Sequence, residues 1–299
     1  MSSYSQRPGD HIVASFIPSC GTCRYCATGR QSICDWGANA LDGCLPTGRY
    51  PLTGPAGEYG AMDMLGTFSE YGVLHEYSCI KIEDYYPLDK AVLVSCGVPT
   101  GWGSAVNTAD VRPGQTVVII GIGGIGINAV QGAVMAGAKH VIAVDLLESK
   151  RDFAIKFGAT HAFASVAEAM DTIAQVTWGQ MADAAIITPG IMTKEVVTDG
   201  FDSVGKGGKV VMTALTRFDT TTIELPGTML TVYRKEIRGS LFGDCNPTTD
   251  IPRLLNLYDS GDLKIDELVT QTYSLEQVNQ GYADLIDGKN MRGIIAFDR

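Results

Sequence analysis

Six residues between a β-branched run and a helix-like stretch have the spacing of a phosphate-binding turn. The sequence Gly121-Ile-Gly-Gly-Ile-Gly126 follows Thr116–Ile120 and precedes a helix predicted to run to about Ala136. In such a turn the first glycine permits the tight bend, the second lets the backbone approach a pyrophosphate, and the third allows close helix–strand packing. The helix N-terminus adds free N–H groups and a partial positive charge. The pattern predicts a dinucleotide site formed by Gly121, Ile122, Gly123, Gly124, Ile125 and Gly126.

An acidic residue stands where such a site needs one. Asp145 ends the next predicted strand, Val141–Asp145, 19 residues after Gly126. We expect its carboxylate to accept hydrogen bonds from the adenosine ribose and to repel a 2′-phosphate, and no Arg follows immediately. The sequence therefore predicts NAD(H) rather than NADP. The alternative is that the glycines only pack a helix on a strand and Asp145 is a surface turn residue, which the full match of turn, context and acid disfavours.

Four cysteines within fifteen residues have the spacing of a metal site. Cys20, Cys23, Cys26 and Cys34 form C-x2-C-x2-C-x7-C in a loop-rich stretch, which fits the tetrahedral coordination of structural Zn²⁺. An iron–sulfur cluster is the main rival, although such runs usually place a proline after the last cysteine, where this chain has Asp35. Disulfides are a weaker alternative in a cytoplasmic protein.

The remaining cysteines and the histidines form no ligand pattern of their own. Cys96 lies alone in a stretch of small residues, where a buried thiol is the first interpretation. Cys44, Cys79 and Cys245 are expected to be core or loop thiols. The chain has four scattered histidines and no HExxH motif, nucleophile elbow or P-loop.

Composition narrows the class of protein. The 299 residues predict two domains, and 33 Asp+Glu against 23 Lys+Arg, with no basic run, argue against nucleic acid as a partner. Residues 1–10 have no long apolar stretch and do not resemble a signal peptide, so the expected location is cytoplasmic. Thr116–Ala138 is uncharged and long enough to cross a bilayer. Its six glycines and its change from β-branched to helical spacing favour a strand, a turn and a helix instead, and no membrane partner is expected.

The pattern of turn-forming and apolar residues along the sequence changes near Asp110. Before it, turn-rich sequence carries short predicted strands at Ile12–Ile17, Phe68–Leu74 and Ser78–Ile82. After it, apolar strands alternate with amphipathic helices, which predicts a parallel sheet covered on both faces. Gly137, Gly158 and Gly207–Gly208 are expected to end helices. The predicted elements after the first helix are strands Ala162–Ala164, Ala184–Thr188, Lys209–Leu215 and Gly293–Phe297, and helices Glu148–Phe157, Ala167–Val176, Met192–Val204, Ile251–Tyr258 and Leu275–Asp287.

Taken together, these motifs resemble a known family. A four-cysteine lobe, an isolated Cys96-Gly97 and then the glycine fingerprint occur in the order typical of zinc-dependent medium-chain alcohol dehydrogenases. Local sequences are similar to the bacterial nitroso-dimethylaniline-dependent, class III-like branch, namely Pro8-Gly-Asp-His-Ile-Val, Gly66-Thr-Phe-Ser-Glu-Tyr, Gly97-Val-Pro-Thr-Gly-Trp-Gly and Arg238-Gly-Ser-Leu-Phe-Gly. The resemblance spans residues 7–299. It implies an α/β Rossmann domain over residues 98–241 and a truncated, mainly β GroES-like catalytic domain with the four-cysteine zinc lobe over residues 1–97, to which residues 242–299 return.

The resemblance also implies roles for single residues. Cys96 would be a ligand of a catalytic Zn²⁺, Thr100 and Ile125 would pack on the nicotinamide, and Asp145 and Lys150 would hold the adenosine ribose. The backbone of Met212, Thr213 and Ala214 would bind the carboxamide side, and Arg292 would pair with the pyrophosphate. The implied reaction passes hydride between a primary alcohol or aldehyde and the nicotinamide, in a homo-oligomer.

One departure from the family pattern stands out. The two other catalytic zinc ligands, a Cys and a His followed by Glu, lie upstream of the stretch that begins here at Pro8, and residues 1–7 contain neither Cys nor His. We expect the catalytic zinc site to be incomplete. The chain is then a fragment or mis-started version of a dehydrogenase, or a short paralogue that binds NAD and structural zinc as a non-catalytic partner subunit, or a zinc-free medium-chain reductase. The sequence predicts neither the alcohol nor the path of residues 36–64.

Overall fold

The structure, a computed structural model, describes residues 6–220 and 222–297. These residues form two compact units. One contains residues 6–96 and 245–297, and the other contains residues 97–244.

Short strands and helices alternate along the described part of the chain. The strands are β1 (Ile12–Ala14), β2 (Leu52–Gly54), β3 (Gly57–Tyr59), β4 (Cys79–Lys81), β5 (Thr116–Ile120), β6 (His140–Val144), β7 (His161–Phe163), β8 (Ala182–Ile187), β9 (Val204–Met212), β10 (Glu236–Gly239), β11 (Val269–Tyr273) and β12 (Arg292–Ile295). The helices are α1 (Leu88–Ala91), α2 (Gly97–Gly103), α3 (Gly126–Met135), α4 (Glu148–Lys156), α5 (Val166–Val176), α6 (Lys194–Ser203), α7 (Gly227–Val232), α8 (Pro247–Asp259) and α9 (Val278–Ile286). A π-helical turn, Ser104–Thr108, continues α2.

A six-stranded parallel sheet forms the centre of the unit of residues 97–244. The spatial order is β7-β6-β5-β8-β9-β10, so the chain starts in the middle at β5, runs outward to β7 and returns to build the other half from β8. This is the Rossmann order, and the predicted fold class is confirmed. Ligands of such sheets bind beyond the carboxyl ends of the strands where the order reverses. Here that point lies between β5 and β8.

The core explains why the apolar runs become strands. Val117, Val118 and Ile119 of β5 have no exposed surface, because helices cover both faces of the sheet. Helices α2 and α3 cross with their backbones in contact. A Cβ on Gly101 would lie 2.8 Å from the Cβ of Asn128, so only glycine allows this approach.

The other unit is built from short pairs of strands and 3-10 turns. Strand β1 pairs antiparallel with β4, β2 with β3, and β11 runs parallel to β12. Helix α8 begins at Pro247 after Asn246, whose side chain accepts a hydrogen bond from the Thr248 N–H as an N-cap.

Several predicted elements differ from the structure. The strand predicted over Lys209–Leu215 runs instead from Val204 to Met212. Residues Phe68–Leu74 form no strand, because no described strand pairs with them, and Phe68 is 53% exposed. The predicted strand Ile12–Ile17 ends at Ala14. Gly207 and Gly208 do not end a helix. They lie inside β9, where the pairing with β8 jumps from Val204 to Lys209, and Gly207 takes the positive φ of +73° that this irregularity needs.

No helix among residues 6–220 and 222–297 is long and apolar enough to cross a membrane. The uncharged stretch Thr116–Ala138 forms β5, the glycine turn and α3.

Candidate functional site

The glycine turn lies at the carboxyl end of β5 and leads directly into α3. Gly121 has φ +89°, and a Cβ there would lie 2.6 Å from the Pro189 backbone nitrogen. A Cβ on Gly126 would lie 2.8 Å from the Thr188 hydroxyl. At Gly123 nothing comes within 4 Å of the Cβ position. The fold itself therefore requires Gly121 and Gly126, while the space at Gly123 leaves the backbone open to a phosphate.

The carboxylate of Asp145 is fixed against this turn. Asp145 follows β6 directly, and its Oδ2 accepts a hydrogen bond of 2.7 Å from the Ile122 N–H. Its Oδ1 accepts another of 2.9 Å from the Leu147 N–H. A carboxylate offers about four acceptor positions, so capacity remains for ribose hydroxyls. Lys150, in the first turn of α4, is held by a backbone hydrogen bond of 3.1 Å to Leu147.

Two residues near the turn were missed by the sequence reasoning. The Thr188 hydroxyl, at the carboxyl end of β8, donates to the Gly121 carbonyl at 2.6 Å and fixes the turn at the point where the strand order reverses. The signal available in the sequence was that Thr188 ends a strand predicted to be buried. The Arg151 guanidinium donates to the carbonyls of Asp145 and Leu146, at 2.8 and 2.9 Å. Arg151 comes six residues after Asp145, so it was not recognised as its neighbour.

The candidate nicotinamide residues lie in α2, at the start of α3 and at the end of β9. Ile125 immediately precedes α3, and Thr100 is buried in α2 next to Gly101, which contacts that helix. Met212 ends β9, and the N–H groups of Thr213 and Ala214 donate to the Ile187 carbonyl of β8. These residues, the glycine turn and Asp145 all belong to the unit of residues 97–244.

The four cysteines of the lobe converge on one point. The sulfur atoms of Cys20, Cys23, Cys26 and Cys34 all lie within 4.8 Å of one another. Two of the separations are 3.9 Å, for Cys20 and Cys26, and 4.0 Å, for Cys23 and Cys34. Sulfurs placed about 2.3 Å from a tetrahedral Zn²⁺ are about 3.8 Å apart, so the thiols fit this ion.

Backbone hydrogen bonds favour the thiolate form of Cys20, one of the four cysteines of the lobe. Burial raises the pKa of the Cys20 thiol, but N–H groups of Cys23 and Thr22 outweigh it and bring that pKa to about 6. The Cys23 N–H lies 3.3 Å from the Cys20 sulfur. Burial raises the pKa of Cys34. A metal ion would hold all four groups as thiolates, since the thiolate is the ligand.

Cys96 does not belong to such a set. Cys96 follows the 3-10 turn Val92–Ser95 in the sequence, and its side chain is exposed, so the expectation of a buried thiol was wrong. Among residues 6–220 and 222–297, the four-cysteine lobe is the only group of three or more His, Cys, Asp or Glu placed to share an ion. The described residues thus bring together one four-thiol group that fits a single Zn²⁺.

Arg292 begins β12, in the unit that carries the cysteine lobe. With Phe68, Tyr273 and Asn290 it lines a cavity of about 140 Å³. Burial lowers the pKa of its guanidinium, which the neighbouring Cys96 partly offsets.

Comparisons with known proteins agree with this architecture. The family profile described as "Alcohol dehydrogenase GroES-like domain" matches residues 2–84, and the profile described as "Zinc-binding dehydrogenase" matches residues 124–260. The chain is 57% identical over 289 residues to the "NDMA-dependent alcohol dehydrogenase" of Amycolatopsis methanolica and 56% identical to the "Putative alcohol dehydrogenase D" of Mycobacterium tuberculosis. Each match covers 97% of this chain and 78% of the relative.

Solved structures show the same fold. An alcohol dehydrogenase zinc-binding domain protein from Burkholderia ambifaria superposes with a TM-score of 0.87 at 31% identity, covering 98% of this chain and 79% of that one. Benzyl alcohol dehydrogenase from Acinetobacter calcoaceticus gives 0.84 at 27% identity, with the same coverage. Both profiles and these relatives show that the chain belongs to the zinc-binding alcohol dehydrogenase family.

Proposed function

We propose that this chain is an NAD(H)-linked, zinc-type alcohol dehydrogenase chain, of the reaction type that passes hydride between a primary alcohol or aldehyde and the nicotinamide, and that it is catalytically incomplete as given. A structural Zn²⁺ is proposed for its four-cysteine lobe. One observation carries the coenzyme proposal. The Asp145 carboxylate is held on the glycine turn at the reversal point of the sheet, near Gly123, whose Cβ position has open space around it. In that arrangement, N–H groups of the turn and helix can donate to the pyrophosphate, and the carboxylate can accept from the ribose hydroxyls. The carboxylate supports NAD over NADP because it would repel a 2′-phosphate.

In the proposed reaction, bound NAD⁺ accepts a hydride from the alcohol carbon, and the alcohol proton is released. The chain's own residues bind and orient the coenzyme. Thr100 and the backbone of Thr213 are the proposed contacts of the nicotinamide end, and Lys150 supports the ribose. We place no step on a catalytic metal, since the four-cysteine lobe is the one group of three or more possible ligands that the described residues bring together.

The grouping of possible metal ligands among the described residues supports a second candidate function, that of a non-catalytic NAD- and zinc-binding subunit. A zinc alkoxide needs three protein ligands and an open position, and outside the four-cysteine lobe the described residues bring no group of three such ligands together. We therefore propose that the chain as given binds coenzyme but turns over primary alcohols negligibly. A homo-oligomer is also proposed, supported by exposed apolar side chains in the segment after β9, where Leu215 is 71% and Phe218 is 87% exposed.

Two measurements on the purified, zinc-loaded chain test the proposal. Titration calorimetry with NAD⁺ and NADH is expected to show saturable binding, and Gly123→Ala is expected to weaken it. No binding of either form would overturn the coenzyme assignment. Oxidation of ethanol or benzyl alcohol, with NAD⁺ alone or with a dye acceptor, is expected to stay at background. Sustained turnover would overturn the incomplete-site proposal and leave the coenzyme assignment intact.

A further inference from the structure

A buried chain of hydroxyl groups connects the two stretches of backbone proposed to hold the nicotinamide end. The Ser104 hydroxyl lies 2.9 Å from that of Thr213 and 3.1 Å from that of Ser240. The Ser240 hydroxyl lies 2.8 Å from that of Thr108, which donates to the Asp244 carboxylate at 2.9 Å. Ser104 has no exposed surface, and Thr108 is 3% exposed. These contacts are therefore shielded from water and strong for neutral groups.

The acceptors at the two ends of the hydroxyl chain fix the direction of its outer hydrogen bonds. The Thr100 carbonyl, 2.7 Å from the Ser104 hydroxyl, and the Asp244 carboxylate can only accept. Ser104 and Thr108 each use their single proton on these outer partners. Ser240, between them, has one proton and can donate it to only one of the two at a time, and Thr213 donates to Ser104.

The backbone conformation is unusual at both ends of the hydroxyl chain. Ser104 and Thr108 bound the π-helical turn that continues α2, a feature that often marks a functional position. Phe242, Gly243 and Asp244 are three consecutive residues with positive φ, of 57°, 66° and 52°. A Cβ on Gly243 would lie 2.8 Å from the Thr100 carbonyl, and the Asn107 amide donates to the Gly243 carbonyl at 3.0 Å. The hydroxyl chain thus fixes Thr100 against a strained loop, since left-handed non-glycine residues persist only when their surroundings hold them.

We propose that Ser104, Ser240 and Thr108 are positioning residues for the nicotinamide end of the coenzyme. The hydroxyl chain keeps the turn of α2 that contains Thr100 at a fixed separation from Thr213, the residue that follows β9. The glycine turn and Asp145 are held by their own hydrogen bonds, to Thr188 and Ile122. Loss of the hydroxyl chain is therefore expected to loosen binding of the nicotinamide half more than that of the adenosine half. This inference rests on the proposed NAD(H) binding.

The test compares NADH with ADP-ribose, which has the adenosine and pyrophosphate parts without the nicotinamide. Titration calorimetry on zinc-loaded protein is done with wild type, Ser104→Ala and a control, Ser203→Ala. Ser203 is also fully buried, and its hydroxyl also donates to a carbonyl of its own helix, that of Gly200, at 2.9 Å. We expect Ser104→Ala to weaken NADH about tenfold and ADP-ribose less than about twofold. Ser203→Ala is expected to change neither affinity.

A second pair of variants keeps the test decisive if Ser104→Ala does not fold. Thr108→Val removes the hydroxyl and keeps the shape, whereas Thr108→Ser keeps the hydroxyl. We expect the valine variant to show the same selective loss of NADH affinity and the serine variant to retain wild-type affinity. Equal weakening of NADH and ADP-ribose, or unchanged NADH affinity, would overturn the proposal. If wild type binds ADP-ribose but not NADH, the nicotinamide assignment fails. If it binds neither, the proposed function fails first.

Discussion

Replacing Asp145 with alanine separates the two tasks that its carboxylate can perform. In the structure it accepts hydrogen bonds from the N–H groups of Ile122 and Leu147, so it supports the glycine turn. In the proposed complex it also accepts from the ribose hydroxyls and disfavours a 2′-phosphate. Supporting the turn affects NAD⁺ and NADP⁺ alike, whereas recognising the ribose distinguishes them.

The expected magnitude follows from the kind of hydrogen bond that is lost. A hydrogen bond to a charged group contributes about 1.5–3 kcal/mol, and each 1.4 kcal/mol is about tenfold in affinity. Asp145→Ala should therefore weaken NAD⁺ about 10- to 100-fold. For NADP⁺ the lost contact is offset by removal of the repulsion between two anions, so its affinity should stay the same or rise. The preference for NAD⁺ over NADP⁺ should fall by about tenfold or more.

Titration calorimetry with both coenzymes measures this preference. Asp183→Ala is a matched control, because the Asp183 carboxylate also accepts a backbone N–H, that of Thr116 at 2.8 Å, but at the amino end of the same sheet. The control should leave both affinities unchanged. An equal loss for NAD⁺ and NADP⁺ in Asp145→Ala would refute the reasoning and show that Asp145 only supports the turn.

Three further predictions concern the glycines, the cysteine lobe and pH. Gly123→Ala should keep the wild-type melting temperature yet weaken NADH binding about tenfold. Gly101→Ala should instead lower the free energy of unfolding by about 1–3 kcal/mol, because its Cβ would lie 2.8 Å from that of Asn128. Thermal melting and calorimetry check both variants, and a stable Gly101→Ala would contradict the packing argument. Cys34→Ala should abolish zinc binding and lower the melting temperature, while Cys44→Ala should retain the metal; elemental analysis decides, and metal retained by Cys34→Ala would rule out the four-thiol site. Burial, Lys139 and His161 lower the pKa of His140, so as pH falls through about 6.5 the unfolded chain gains a proton that the folded one does not, and stability falls. His140→Gln should therefore lose less melting temperature than wild type between pH 7 and pH 5, and an unchanged slope would contradict this.

Local sequence rules predicted the Rossmann unit well. The strand, glycine turn and helix around Gly121 obey short-range constraints of burial, φ and helix entry, and these are visible in the sequence. The acid at the end of β6 is visible for the same reason. The cysteine spacing is also local, and the four sulfurs do meet.

What the sequence did not predict depends on distant partners. Phe68–Leu74 has the composition of a strand, but a strand requires a neighbour to pair with, and composition does not identify one. Gly207 was expected to end a helix because glycine favours positive φ there, yet an irregular strand pairing has the same need. The contact of Thr188 with Gly121 and the hydroxyl chain through Ser240 join residues more than sixty positions apart. No spacing rule connects such pairs.

The number of zinc ions bound per chain distinguishes an incomplete catalytic site from a complete one. Elemental analysis of wild type and Cys96→Ala, after saturation with Zn²⁺ and removal of free metal, counts the sites that the chain itself can complete. We expect about one zinc per chain in both proteins, held by the four-cysteine lobe. Two zinc ions per wild-type chain, falling to one in Cys96→Ala, would show that Cys96 belongs to a complete catalytic site and that the proposed incomplete site is wrong.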